Sequence, residues 1–206
     1  MGNEVSANFE LFNNAADNNK QFIADELKRL LVPGARVLEI GSGSGQHAVH
    51  VVTQLEDVSW QPADKEPYFG ALLRNLGGLS LSGIEKPVYL DVAQFDIAGR
   101  FDAVFCANVI HIMSADLIPS MMAGVGSLLD SGGLFILYGP YKYEGAFTTE
   151  SNENFDGWLR SRDPLSGIRD IEVVQVEAKT HQLELIEDNP MPANNQLLVF
   201  RKLSEN

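Results

Sequence analysis

Three glycines at alternate positions follow an acid at the end of a short apolar run: Val37-Leu38-Glu39-Ile40-Gly41-Ser42-Gly43-Ser44-Gly45-Gln46-His47. Such glycines let a backbone turn sharply and approach a bound molecule more closely than a Cβ permits. The run 36–40 is expected to be a buried parallel strand and 45–55 a helix, whose first amide N–H groups point back at whatever the loop holds. That chemistry suits a nucleotide-like ligand. A dinucleotide fingerprint places its third glycine where Gln46 stands, whereas here the glycine comes one residue earlier, at Gly45. A phosphate-cradling loop needs Gly-Lys-Ser/Thr, and the chain has none.

The form that remains, E-x-G-x-G-x-G, resembles motif I of class I S-adenosylmethionine (SAM) methyltransferases, where the loop faces the amino-acid end of the cofactor. The resemblance implies that Glu39, Gly41, Ser42, Gly43, Gln46 and His47 line that end. In a parallel sheet, ligands sit at the carboxyl ends of strands, so each strand is expected to present polar groups there. The second run, Trp60-Gln61-Pro62-Ala63, ends in Asp64, whose carboxylate is placed to accept both ribose hydroxyls. Charged hydrogen bonds of that kind contribute about 1.5–3 kcal/mol each. After Val88-Tyr89-Leu90, Asp91 is placed to accept from the adenine amino group while Val92 offers its backbone. Ala107 and Asn108, after Val104-Phe105-Cys106, are expected to close over the sulfonium.

SAM carries its own leaving group, so such an enzyme mainly holds acceptor and methyl carbon in line. A base is needed only for a hydroxyl or a protonated amine. His111, just past the strand ending at Ala107, is the candidate base, with an imidazole near its free pKa of about 6.5; capping the next helix is its alternative role. Tyr138 and Tyr141, with Lys142, follow the strand expected at 133–138 and are expected to line the acceptor pocket. Arg162, Asp163 and Arg169 read as an ion-pair network, with an anion site as the alternative. His50 and His181 read as ordinary helix residues, and Cys106 as a small buried hydrophobe.

The elements that position these residues alternate. Helices are expected at 18–31, with Phe22, Ile23, Leu27, Leu30 and Leu31 on one face, and at 45–55, 67–76, 114–129 and 168–181. Strands are expected at 36–40, 58–63, 86–90, 101–107, 133–138, 183–188 and 196–202. Asp130-Ser131-Gly132-Gly133 reads as a helix stop and turn. Residues 1–17 are polar, and 140–169 reads as a pocket-forming insertion without strands. In it Ser151 caps a short helix burying Phe155, Trp158 and Leu159. Strand–helix alternation is the pattern of an α/β sheet covered on both faces, and the last two strands, closely connected through 189–195, are expected to pair antiparallel. The expected architecture is one Rossmann-like domain over 1–206 with helices on both faces of a seven-stranded, mostly parallel sheet that has one antiparallel strand at its end.

The chain has 206 residues, 45% of them hydrophobic, which suits one domain. Its 15 basic and 28 acidic residues give a net charge of −13 with no basic cluster, a field that repels polyphosphate. Nucleic acid is therefore disfavoured as a substrate, and small-molecule acceptors are favoured. One cysteine suits a reducing cytoplasm, and no signal or membrane-spanning pattern is read. No metal-ligand spacing stands out.

Further strings resemble one family, the methyltransferase-like protein 26 family, also known as domain of unknown function 938. They are Asn19-Lys20, Gln46-His47-Ala48, Trp60-Gln61-Pro62, Phe105 to His111, Leu137 to Lys142, Ser151-Asn152, Arg162-Asp163-Pro164, Gly167 to Asp170 and Met191 to Asn195. The resemblance implies a SAM-dependent methyltransferase with Asn19 and Lys20 at the cofactor. Where the family usually has arginine, this chain has Asn18, leaving Lys20 as the cation for the cofactor carboxylate. Asn194-Asn195 reads as a turn of the final hairpin back toward the site, with a plain turn as the alternative. The expected activity is methyl transfer to an O, N or S nucleophile of a small molecule. The alternatives are protein methylation, a SAM-binding pseudoenzyme acting as sensor or partner, and hydride transfer.

Overall fold

The protein is described from a computed structural model covering residues 6–55 and 57–204, so the first five residues of the expected polar segment lie outside the described residues. Among the described residues seven strands form one sheet, in the order β3-β2-β1-β4-β5-β10-β9. These strands are β1 (Arg36–Ile40), β2 (Ser59–Asp64), β3 (Val88–Tyr89), β4 (Phe101–Ala107), β5 (Leu129–Gly139), β9 (Leu183–Met191) and β10 (Asn195–Lys202). The chain divides into two compact units, 1–91 with 101–103, and 92–100 with 104–206.

In the first unit, α1 (Asn14–Leu30) begins earlier than the apolar pattern implied, because Asn13 accepts the Ala15 and Ala16 amides at 2.8 and 3.4 Å. Its buried stripe is Asn19, Lys20, Ile23, Ala24 and Leu27. Phe22, expected inside, lies off that stripe and is 47% exposed, and Leu30 and Leu31 are half-buried. β1 pairs parallel with β2 from Arg36 opposite Ser59 to Ile40 opposite Ala63. Between them α2 (Gln46–Gln54) runs where expected, with Gly45 as its left-handed N-cap. The helix α3 (Tyr68–Gly77) buries Ala71, Leu72 and Leu76, and Val49 of α2 packs with the latter two. β3 is shorter than expected, since Pro87 has no amide to offer a ladder, although the Leu90 amide still reaches the Asp64 carbonyl at 3.0 Å.

In the second unit, Ser114 caps a turn of 3₁₀ helix, Ala115–Leu117, that leads into α4 (Ile118–Leu128). The expected stop after α4 is present, with Gly132 at φ +89°, but 129–133 already belong to β5. β10 is antiparallel to both β5 and β9, with Leu198 opposite Leu137 and Asp188. The antiparallel strand is thus next to last, and β9 forms the edge. β9 extends to Met191, so the connection is only Pro192–Asn194, with Ala193 and Asn194 at φ +58° and +60°.

The insertion was expected to lack strands. Instead β6 (Tyr141–Tyr143), β7 (Ala146–Phe147) and β8 (Arg169–Asp170) form a small sheet around α5 (Glu150–Arg162) in sequence, in the order β7-β6-β8. Thr149, two residues earlier than Ser151, caps α5 by accepting the Asn152 amide. Trp158 is 51% exposed and Phe155 half-buried, leaving Leu159 as the anchor of the expected trio. Because β8 takes Arg169 and Asp170 into pairing with Tyr141 and Lys142, α6 (Ile171–Thr180) begins later than the expected 168. His181 caps α6 rather than lying within it.

Candidate functional site

The glycine loop at the carboxyl end of β1 is built by three left-handed residues, Gly41, Gly43 and Gly45, at φ +75°, +56° and +88°. They serve different ends. A Cβ on Gly43 would meet nothing within 4 Å, so the space over the loop is open there. A Cβ on Gly45 would meet Leu76 at 3.0 Å and Leu72 at 3.1 Å, so this glycine answers to helix packing.

Glu39 is 1% exposed. Its Oε2 accepts Ser42 Oγ at 2.8 Å and Trp60 Nε1 at 2.9 Å, and its buried Oε1 has no hydrogen-bond partner. His47 Nδ1 stands 3.5 Å from that oxygen, and His47 Nε2 is 2.8 Å from Asn19 Oδ1 on α1. Asp64 Oδ2 accepts the Gly43 amide at 2.7 Å and Oδ1 the Lys65 amide at 2.8 Å. Burial raises the Asp64 pKa, against the lowering effect of those two amides.

Other expected contacts are already engaged within this unit. Lys20 is buried and ion-paired with Asp17. Gln46 Oε1 accepts the Asn13 amide and Ser44 Oγ, both at 2.7 Å, and its Nε2 reaches the Asn13 carbonyl at 3.2 Å. Gln46 therefore ties the start of α1 to the loop. Asp91 is half-buried, with Lys65 Nζ 3.4 Å away. Sequence reasoning missed Asn13, Ser44, Trp60 and Asn75, whose Nδ2 donates to the Ser44 carbonyl at 3.0 Å. An N-cap reading of Asn13 was available from residue type; the others needed the fold. His50 is buried against Gln21 at 3.2 Å, with its pKa lowered chiefly by burial.

In the second unit, the Val92 carbonyl accepts Ser120 Oγ at 2.5 Å, and Ala107 is buried. Asn108 stands at φ +59°, its amide donating to the Tyr138 carbonyl at 2.9 Å. His111 is 3% exposed, with its carbonyl accepting the Gly167 amide at 2.8 Å and its ring edge-on to Phe155 at 5.6 Å. Its Nδ1 is buried without a hydrogen-bond partner. Its pKa is not near the free value: burial, then the Arg169 charge, lowers it to about 4. Tyr138 and Tyr141 are both buried. The Tyr141 hydroxyl has no hydrogen-bond partner, and burial first, then Cys106, Tyr143 and Asp188, hold its pKa well above 10.

The expected ion-pair network around Arg169 is instead a carbonyl cage. Arg169 donates to Ile110 O at 3.0 Å, Leu165 O at 2.9 Å and Met113 O. Asp163 caps Leu165 at 2.9 Å, and Arg162 lies over the Trp158 ring at 4.8 Å. The ion pair in this segment is Arg160 with Asp156 at 2.7 Å, and Asp156 also accepts the Ile168 amide at 2.7 Å. Lys142 is 3.5 Å from Asp170. Among the described residues no group of three or more His, Cys, Asp or Glu could hold a metal ion, and no helix is long and apolar enough to cross a membrane.

A mostly parallel seven-stranded sheet with an antiparallel strand next to last, and a glycine loop after β1, defines the Rossmann-like fold of class I methyltransferases. Solved structures of that fold align with nearly the whole chain at low identity. An O-methyltransferase family protein from Burkholderia thailandensis has 15% identity and a TM-score of 0.76, over 94% of this chain and 59% of its own. An O-methyltransferase from Nostoc punctiforme described as putative has 15% identity and a TM-score of 0.77, over 91% and 56%. Human N-acetylserotonin methyltransferase, solved in complex with SAM, has 13% identity and a TM-score of 0.74, over 92% and 53%. This chain thus spans little more than half the length of each. The chain belongs to the family described as "Protein of unknown function (DUF938)", whose model matches residues 10–202.

Proposed function

We propose that this chain is a SAM-dependent methyltransferase acting on an O, N or S nucleophile of a small molecule. The observation that carries the reading is the buried Glu39 Oε1, without a hydrogen-bond partner, beneath a glycine loop left open at Gly43. A buried acceptor without a donor costs about 1–3 kcal/mol, and the ammonium of the methionine end of SAM is a donor that would satisfy it.

The other groups of the first unit fit the same cofactor. Asp64 has lone pairs left for the ribose hydroxyls, since a carboxylate has about four acceptor sites and two are occupied by amides. Asn19 holds the His47 ring beside the loop, with its Nδ1 3.5 Å from Glu39 Oε1. Asp91 is the acceptor assigned to the adenine amino group. For Lys20 the pairing with Asp17 reduces its use as a cation for the cofactor carboxylate, and Gln46 acts as a brace of the loop. Val92, Ala107 and Asn108 belong to the second unit, and their cofactor roles rest on their places at or just past the ends of β3 and β4.

Bound SAM supplies a methyl group activated on a sulfonium, with a thioether as leaving group. The protein's task is to orient the acceptor and exclude water. His111 is the residue assigned to hold the acceptor's proton. With its pKa near 4 the imidazole is neutral at pH 7 and offers a lone pair, although so weak a base provides less driving force than one tuned near 7. Tyr138 and Tyr141 are assigned to acceptor positioning.

Calorimetric titration with SAM, its demethylated product and NAD tests the reading. Micromolar binding of both sulfur compounds without NAD binding supports it. Failure of well-folded protein to bind either would favour a fold serving as an interaction partner, and NAD binding alone would favour hydride transfer.

A further inference from the structure

Gly139 ends β5 without a side chain at a position that borders a buried polar cluster. A Cβ built on it would lie 3.2 Å from His111 Nδ1 and 4.0 Å from Asn108 Oδ1. Its antiparallel partner across the ladder is Gln196 of β10. Directly opposed residues carry their side chains on the same face of a sheet, so Gln196 leaves β10 on the face that the His111 ring borders. Tyr141, fully buried, follows two residues after Gly139. His111 Nδ1, Gln196 Oε1 and Tyr141 Oη are all buried without a hydrogen-bond partner. Leaving one such atom unpaired costs about 1–3 kcal/mol. Two of them, on His111 and Gln196, border the same end of β5, and the third follows it two residues on in the chain, the pattern of a site whose partners come from a ligand.

The chemistry of the three narrows what fits. A carboxamide oxygen needs a donor and a protonated phenol offers one, while a neutral imidazole takes or gives a proton according to its tautomer. A hydroxyl both donates and accepts, and so answers this set. Ionic ligands find no counter-charge among these groups, and the nearby Arg169 guanidinium is occupied by the carbonyls of Ile110, Met113 and Leu165. Phe155, edge-on to His111 at 5.6 Å and stacked on Trp158 at 5.7 Å, adds an aromatic wall. We propose that Gly139 and Gln196 form, beside His111, a subsite for the uncharged hydroxyl of a small, partly apolar acceptor, with the Tyr141 phenol as its further donor. The word acceptor rests on the methyltransferase reading, whereas the binding itself rests on this geometry.

Phenol is the probe, titrated into the full chain while the His111 imidazole signal is followed by NMR, with benzoate and benzene as its charged and hydroxyl-free counterparts. Phenol is expected to shift that signal saturably, and the counterparts to bind at least about tenfold more weakly. Gln196→Leu removes the carboxamide at similar volume, and Gly139→Ala sets a methyl 3.2 Å from His111 Nδ1. Each, checked for folding by circular dichroism, is expected to weaken phenol about tenfold. Tyr141→Phe is the further variant should either fail to fold. Benzoate binding as tightly as phenol, no phenol binding, or unchanged phenol affinity in the folded variants overturns the subsite. A parallel SAM titration separates the two readings. SAM bound without phenol overturns the subsite alone, and phenol bound without SAM overturns the methyltransferase reading while supporting the subsite.

Discussion

Asp64 Oδ2 accepts the Gly43 backbone amide at 2.7 Å, which ties the last residue of β2 to the open point of the glycine loop. The tether positions a carboxylate by the same loop whose glycines leave room for a ligand. Asp64→Ala is expected to weaken SAM binding by more than about tenfold, given the worth of charged hydrogen bonds, and Asp64→Asn by less. Calorimetry on folded variants checks this, and unchanged affinity would place the ribose elsewhere.

Glu39 holds Ser42 and Trp60 through one oxygen and leaves the other without a hydrogen bond. Glu39→Gln keeps an acceptor but buries an amide that must find its own acceptors. The variant is expected to lose about 1–3 kcal/mol of stability and to bind SAM more weakly. Urea unfolding followed by tryptophan fluorescence measures the first effect and calorimetry the second.

His111 makes stability depend on pH. Its imidazole has a pKa of about 6.5 in an unfolded chain and about 4 in the folded protein. Between those values the unfolded state binds more protons, so this contribution is complete above pH ~6.5 and is lost as pH falls through about 4. The full difference is on the order of 3 kcal/mol. His111→Gln is expected to lose less stability than the parent between pH 7 and 4.5, as measured by denaturant unfolding at both. Parallel losses would show that the ring is not held neutral.

Arg169 holds three backbone carbonyls, two of them in the segment after β4 and one in the loop after α5. Arg169→Met keeps an unbranched apolar stem but leaves those carbonyls without their donor, at about 1–3 kcal/mol for each that stays buried. The expected outcome is a melting point lower by several degrees and faster proteolysis within 150–168. A variant as stable as the parent would show that water replaces the guanidinium.

Local pattern carried much of the fold. β1 and β4 fall on their expected residues, because a buried strand needs only a short apolar run between turn signals. The glycine loop and Asp64 were readable for a related reason: left-handed turns and strand-end acids are properties of residue type at a given spacing. The insertion was not readable in this way. Its strands are two or three residues long, and β8 exists through its pairing with β6, a partner distant in sequence.

The same division runs through the site. Residue types at fixed spacing were enough to nominate Glu39, Asp64, His111 and Tyr141, but not to say what each one touches. That Gly45 makes room for Leu72 and Leu76, that Gln46 braces Asn13, and that Arg169 is caged by carbonyls are contacts between segments remote in the chain. The acidity of His111 belongs with them. An imidazole's pKa depends on the water taken from it and the charge set beside it, and only burial with Arg169 nearby brings it down to about 4.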